Sequence, residues 1–413
     1  MESLLNLKKY STAFIVAYSF IYIISISFFI GFHHPFWTDE KHFYDTILSF
    51  SNHLDFNFIL HYEEMSTPLP FLLYAGWGKI VGNEISSLRI LSHIISIGTF
   101  ISIYFFFKIL FPENRIYSIV AVIAFSLIPY VPGLSFFVYT DLSAILFMLI
   151  ACISLFKNNS FLFFIFSLAA LMCRQYFVFF TFAVFLFCCF QYFNCHKKIY
   201  LQMALAAVTA TSCLLILCWL WKGFSPDNKL KKLYTNNDFS YHSDALIAYV
   251  CCIFLYAAPL YMVLFRSLFK DNKRTLFAFA LSFIYWVFPV QASIPATAEG
   301  FLFIGFFHKA IFYLLGSGWK TGIVFQFLLS LSLLFILYIA GIIIKSAKDQ
   351  SKQHVLLAGI STLSFLLIMP LSYLTWEKYI LPVIPFIYIL LFETPDFQKL
   401  INKISSKIEK RTN

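Results

Sequence analysis

The chain has little charge for its length. Only 12% of its 413 residues are charged, whereas 60% are hydrophobic and 54 are Phe. Soluble domains carry about twice that charged fraction, so the composition excludes an ordinary soluble globular protein. A membrane-spanning helix needs about 20 apolar residues, and such runs recur along the chain. The sequence therefore predicts an all-α polytopic membrane protein in a single domain, with no room for a separate soluble one.

The sequence also lacks the cysteine pattern of a disulfide framework or a thiolate metal site. None of its nine cysteines forms a C-x-x-C pair, and the polar stretch 33–87 contains none. They lie in or beside apolar runs, at Cys152, Cys173, Cys188, Cys189, Cys195, Cys213, Cys218, Cys251 and Cys252. We therefore expect unpaired thiols that pack as small hydrophobic groups.

Twelve apolar runs are predicted to span the membrane. The first is too long for a signal-peptide core, so we expect it to remain as a span. The predicted spans are 11–32, 89–111, 116–137, 142–156, 160–173, 176–193, 199–221, 245–265, 275–291, 322–344, 355–374 and 379–392. An even number places both termini on one side, and 393–413 forms a basic tail there.

The distribution of Lys and Arg predicts the orientation. The chain has 30 basic and 20 acidic residues, a formal net charge of +10. Most basic residues fall on the side of the termini, in segments such as "FKILFPENR", "CHKK", "RSLFKDNKR" and "KSAKDQSK". Because cytoplasmic loops are enriched in Lys and Arg, this side is predicted to be cytoplasmic. The basic excess thus indicates topology and not nucleic-acid binding.

The long loop 33–87 is predicted to lie outside. Its stretch "TPLPFLLYAGWGKIVG" is short for a span and contains two prolines, so we predict a helix lying in the outer interface. The stretch "TDEKHFYDTILSF" predicts a second interfacial helix, whose apolar face comprises Phe36, Phe43, Ile47 and Leu48 together with Tyr44. Asp39 and Lys41 are expected to face water.

Polar residues collect at this outer surface, next to apolar runs. Charges there are costly and tend to face a cavity, where they pair or bind a ligand. The set comprises Asp39, Glu40, Glu63, Glu64, Asp141, Arg174, Gln175, Glu299, Glu377 and Lys378. A carboxylate can take the proton of an attacking hydroxyl, and a guanidinium can clamp a phosphate. The alternative, favoured for Glu63 and Glu64, is an ordinary charged loop in water.

Five short elements then occur in a recognisable order: "WTDEKHF", "STPLPFLLYAGWGKI" with "LRILSHIISIGTF", "FFVYTDLSAILFMLI", "RQYFVFF" and "WEKYILPVIPF". Together they resemble the C-type integral-membrane glycosyltransferase superfamily, most closely its dolichyl-phosphate-glucose α-1,2-glucosyltransferases. The resemblance implies an inverting hexosyltransferase with a polyprenyl-phosphate sugar donor. It implies Asp39 as catalytic base. It implies substrate binding by Glu40, Asp141, Arg174, Gln175, Glu377 and Lys378.

The chain also departs from that family's pattern. Tyr176 and Phe177 stand where the family has Thr-Asn, and Lys378 stands where it has Arg. A late Asp-Asn-Arg-His-Tyr element is missing. These departures leave the sugar and the acceptor open.

No cofactor is predicted. Five histidines lie near acids in the first outer loop, but their spacing fits no ligand motif, so a divalent metal stays an alternative. Expected partners are the polyprenyl-phosphate-linked sugar, a glycan, lipid-linked or protein acceptor, and membrane lipids, but no nucleic acid.

A membrane transporter or a flippase for lipid-linked saccharides is the alternative function. Transporters place charges near the bilayer midplane, often in two similar halves, whereas here the acids cluster at one surface and no halves repeat. The single N-x-S/T sequon, Asn158-Asn159-Ser160, falls on the cytoplasmic side. A bacterial plasma membrane is therefore favoured over the endoplasmic reticulum, with the active face non-cytoplasmic.

Overall fold

A computed structural model of the chain describes residues 2–226, 240–261, 265–293, 296–297, 300–316, 318–346, 349–372 and 374–410. Over these ranges the chain is helical and contains no strand, which confirms the all-α class. It divides into two compact units, one of them Leu5–Asn236 and the other Met1–Leu4 with Asn237–Asn413. Glu299, one of the predicted outer-surface residues, lies outside the described residues.

The N-terminal unit contains eleven helices within the described residues. They are α1 (Glu2–Ile30), α2 (Glu40–Asn52), α3 (Phe56–His61), α4 (Leu69–Val81), α5 (Ile85–Leu110), α6 (Arg115–Ser126), α7 (Tyr130–Phe136), α8 (Asp141–Phe156), α9 (Ser160–Cys173), α10 (Val178–Cys195) and α11 (Lys198–Leu220). A short 3₁₀ turn, Gln175–Phe177, connects α9 to α10.

The described residues of the C-terminal unit also form α-helices and short 3₁₀ turns. Its helices are Ser243–Tyr256, Ala258–Tyr261, Phe265–Leu268, Asn272–Ser282, Phe306–Leu315, Trp319–Ser346, Gln353–Ile368, Ile384–Phe392 and Pro395–Lys410. Its 3₁₀ turns are Phe283–Trp286, Gln350–Lys352, Met369–Leu371 and Glu377–Val383. The predicted tail 393–413 is thus helical over Pro395–Lys410, and 411–413 lie outside the described residues.

Six helical segments of the described chain are long and apolar enough to cross a membrane. They are Tyr10–Ile30, Ile85–Leu110, Gln175–Cys195, Lys198–Leu220, Trp319–Ser346 and Gln350–Leu371. The number rises to eight if two sharply bent pairs each count as one span. These pairs are Arg115–Ser126 with Tyr130–Phe136, bent by 81°, and Glu377–Phe392 with Pro395–Ile404, bent by 77°. Each of the other predicted spans overlaps a helix that is shorter, such as α8 and α9.

The loop 33–87 contains the two expected helices, α2 and α4, together with the short helix α3. Phe43 and Ile47, predicted to share an apolar face, are buried within the protein, whereas Phe36 precedes the helix and is exposed. The rings of Phe50 in α2 and Phe71 in α4 stack with their centres 5.9 Å apart. An aromatic core between two short helices therefore gives the loop a defined structure.

The cysteines are unpaired, as predicted. All nine are free thiols, and six of them are buried among apolar neighbours. Cys189, Cys195 and Cys213 are half-buried. The thiols thus contribute packing and no covalent cross-link.

Candidate functional site

Asp39 lies in a tight turn directly before α2, and it is half-buried. The preceding residue, Thr38, has a φ of 48°, a left-handed conformation that is strained for a β-branched residue. The Thr38 hydroxyl forms a hydrogen bond with the hydroxyl of Tyr139, which also lies 3.4 Å from the carbonyl oxygen of Trp37. The turn that presents Asp39 is thus held from the side by a tyrosine about a hundred residues later in the chain.

Glu40, the neighbour of Asp39, forms a fully buried ion pair with Arg89 near the start of α5. The guanidinium donates from Nε to Oε1 at 3.0 Å and from Nη2 to Oε2 at 2.7 Å. The amides of Val138 and Trp37 donate to the same two oxygens, at 3.0 and 3.3 Å. Both side chains of the pair are 0% exposed. Glu40 is thus engaged by protein groups on both oxygens, an arrangement that positions the turn.

Arg89 also fixes the chain between α1 and α2. Its Nη1 donates to the carbonyl oxygens of Phe32 and His34, at 2.9 and 2.8 Å. The rings of Phe136 and Phe137 lie about 5 Å from the centre of its guanidinium. A guanidinium that binds both a carboxylate and backbone carbonyls loses little by burial, because its donors are satisfied.

A second buried ion pair joins Asp141 to Arg174. Asp141 is the first residue of α8, where the helix dipole favours a negative charge. Arg174 lies at the break between α9 and the 3₁₀ turn, in an extended conformation. Its Nη2 donates to Asp141 Oδ2 at 3.0 Å and its Nη1 to Ser66 Oγ at 3.3 Å. The anion that the sequence led us to expect beside Arg174 is, in this structure, Asp141.

The residues after Arg174 continue this network. Tyr176 donates its hydroxyl to Asp141 Oδ1 at 3.3 Å, so a residue that departs from the family pattern contacts a predicted site residue. Gln175 donates from Nε2 to the carbonyl oxygens of Met65 and Phe224, at 2.6 and 3.1 Å. Gln175 therefore connects the loop 33–87 to the segment that follows α11.

The segment 137–141 connects the two ion pairs. Val138 donates to Glu40, Tyr139 contacts the turn before Asp39, and Asp141 binds Arg174. Tyr139 and Asp141 are two positions apart, so their backbones lie within about 7 Å of each other. That is far less than the roughly 30 Å of a bilayer core. Five predicted residues thus share one region of the N-terminal unit: Asp39, Glu40, Asp141, Arg174 and Gln175.

Glu377 and Lys378 belong to the C-terminal unit. Glu377 is buried and accepts hydrogen bonds from the Tyr256 hydroxyl at 2.5 Å and from the amides of Phe307 and His308 at 3.1 and 2.8 Å. Its carboxylate thus caps the first turn of the helix Phe306–Leu315, a favourable place for a negative charge. Lys378 is half-buried.

Arg89 and Tyr139 are site residues that the sequence analysis did not single out. Arg89 carried a signal, since it is a charged residue at the start of a long apolar run, like Arg174. Tyr139 carried none beyond its place in the element "FFVYTDLS". Among the described residues, no group of three or more His, Cys, Asp or Glu side chains could hold a metal ion.

Comparison with protein-family models, curated proteins and solved structures gave no match to this chain.

Proposed function

We propose that the chain is a membrane glycosyltransferase. It moves a sugar, with inversion, from a polyprenyl-phosphate donor to an acceptor hydroxyl on the non-cytoplasmic face. One observation carries the proposal: the Asp39 turn and the Asp141–Arg174 pair are bound by the same segment, 137–141. A half-buried carboxylate next to a turn held by this segment and a guanidinium bound to the same segment would supply the two groups that this reaction needs, a base and a phosphate clamp.

In the proposed reaction Asp39 takes the proton of the acceptor hydroxyl. The hydroxyl oxygen attacks the anomeric carbon, and the bond from that carbon to the phosphate oxygen breaks. Arg174 binds the departing phosphate through N–H donors, in competition with Asp141. Glu40 and Arg89 hold the turn in place and need not touch the substrate.

The proposed topology includes all twelve predicted spans, among them the short helices α8 and α9. The helix α5, with 26 residues, is about 39 Å long, enough to cross a bilayer. Arg89 lies near its start and Lys108 near its end. The Asp39 region and the basic loop 108–115 are thus proposed to lie at opposite membrane surfaces, in agreement with the enrichment of Lys and Arg in cytoplasmic loops.

The donor sugar is tested directly. The purified chain is supplied with labelled polyprenyl-phosphate glucose, mannose or another hexose, and with a membrane lipid extract as the source of acceptor. Release of polyprenyl phosphate and transfer of label are then measured. We expect one donor to be consumed, and glucose is the sugar that the family resemblance suggests.

The base assignment is tested with Asp39→Asn. We expect this variant to fold, to bind the donor and to lose transfer, because an amide cannot accept the proton. Asp45→Asn is the matched control, since Asp45 lies on α2, the helix that follows Asp39, and is exposed. Transfer at the wild-type rate in Asp39→Asn, or equal losses in both variants, would contradict the assignment.

A further inference from the structure

A pocket of about 490 Å³ lies at the opposite end of α5 from Arg89, where α5 and α8 end and α6 begins. Its lining comprises three cationic residues, three apolar residues and the polar Ser102. The cationic residues are Lys108, Arg115 and Lys157, and the apolar ones include Phe105, Ile109 and Ile153. It is therefore a distinct region from the one around Asp39.

The three cations come from three different helix ends. Lys108 is half-buried, with its ammonium 5.3 Å from the centre of the Phe105 ring. Arg115 is half-buried too, and its Nη1 donates to the carbonyl oxygen of Lys108 at 3.2 Å. This bond caps the last turn of α5 and uses one of the five guanidinium N–H groups. Lys157 follows α8 and is exposed.

No salt bridge joins any of these three cations to a carboxylate in the part of the chain that the structure describes. Glu113, the acid closest in sequence to Arg115, is exposed and does not line the pocket. Like charges around one pocket repel each other, and the repulsion is stronger beside apolar side chains than in water. A bound anion would offset that repulsion.

The arrangement of the three cationic side chains suits a phosphate group. A phosphate oxygen accepts several hydrogen bonds at once, a guanidinium can bind it through two donors, and a lysine adds a mobile positive charge. We infer that this pocket binds a phosphate group, supplied by the headgroup of an anionic phospholipid. The three apolar residues of the lining favour this source, because they can contact the acyl chains that a free phosphate lacks.

The inference is tested on the purified chain in a nonionic detergent. Phosphatidylglycerol, phosphatidylcholine and inorganic phosphate are added separately. Binding is followed by native mass spectrometry and by the midpoint of thermal unfolding. We compare Lys108→Gln/Lys157→Gln with Lys197→Gln/Lys198→Gln, a double variant that removes the same charge from two exposed lysines outside the pocket.

We expect phosphatidylglycerol to bind the wild type more tightly than phosphatidylcholine does. The pocket variant should lose roughly tenfold in affinity for each contact removed, and the control variant should bind as the wild type does. Lys108→Arg keeps the charge and should keep binding. Lys157→Gln alone alters only an exposed side chain, so it should fold normally and show a partial loss.

Two outcomes would overturn the inference. One is an equal loss in both double variants, which would show general attraction of anions to a basic surface. The other is a wild type that binds neither phosphatidylglycerol nor inorganic phosphate more tightly than it binds phosphatidylcholine. Binding of inorganic phosphate that is lost only in the pocket variant would support the phosphate site while overturning its assignment to a lipid.

Discussion

Arg89 and Glu40 form a bidentate ion pair from which solvent is excluded, with both side chains 0% exposed. The residues lie on different helices, α5 and α2, and the pair sits beside the residue proposed as the catalytic base. A buried pair of this kind is weak support for stability by itself, but its loss is costly when one partner remains.

We therefore expect Arg89→Met to destabilise the protein strongly. The change leaves the Glu40 carboxylate buried without its cation, which costs about 3–5 kcal/mol. The exposed pair of Lys41 and Asp45, each 54% exposed, provides the control, since Lys41→Met should cost less than about 1 kcal/mol. Thermal unfolding in detergent measures both. Similar losses of stability in the two variants would show that the buried pair contributes no more to stability than the exposed pair does.

The left-handed turn at Thr38 gives a prediction about backbone strain. Thr38→Ala removes the hydroxyl that contacts Tyr139 and keeps a Cβ in a strained conformation. Thr38→Gly removes the same hydroxyl and relieves the strain. We expect the Gly variant to be more stable than the Ala variant by about 1 kcal/mol. The opposite order of their unfolding midpoints would mean that the turn is not strained.

Arg174 is predicted to bind phosphate through its planar fork. Arg174→Lys keeps the charge but loses the two-donor geometry, so the dissociation constant for polyprenyl phosphate should rise roughly tenfold. Arg274→Lys, made in a partly exposed pair with Asp271, should leave it unchanged. Equilibrium binding of labelled polyprenyl phosphate measures both. Unaltered binding in Arg174→Lys would remove Arg174 from the proposed phosphate contact.

His308 gives a prediction about pH. Burial lowers the pKa of its imidazole from 6.5 to about 4. Between these values the unfolded chain binds the proton more readily than the folded chain does, so protonation favours unfolding. Stability should therefore be full above pH 6.5 and decline as the pH falls toward 4. The helix that contains His308, Phe306–Leu315, lies outside the twelve predicted spans.

The control for this effect is His308→Gln, which retains an acceptor for the amide of Ile304 but does not titrate. The unfolding midpoint of this variant should vary less between these two pH values. An identical acid dependence in both proteins would assign the effect to other groups.

Local features of the fold and part of the candidate site could be predicted from the sequence. Apolar periodicity predicted α2 and a shared apolar face for Phe43 and Ile47, and the structure buries both side chains. The cost of a charge beside an apolar run singled out Asp141 and Arg174, and the structure pairs them. Each of these inferences needs only neighbouring residues and a general rule about burial.

Contacts between distant residues were beyond the sequence. Glu40 was predicted to bind substrate, but the partner it has in the structure is Arg89, 49 positions later. Nothing local tells which cation of the chain will face which acid. Glu377 likewise caps a helix about seventy positions earlier. The bend of 81° after α6 also escaped prediction, because hydropathy measures apolar content and not direction.

The helices α8 and α9 have 16 and 14 residues, which makes them about 24 and 21 Å long. As spans they are shorter than the roughly 30 Å thickness of a typical hydrocarbon core. The proposed topology thus requires the bilayer to thin where these two helices face lipid, at a cost of fractions of a kcal/mol per Å. The proposed spans therefore predict that lipid chain length acts on these two helices and on the Asp141–Arg174 pair at their ends.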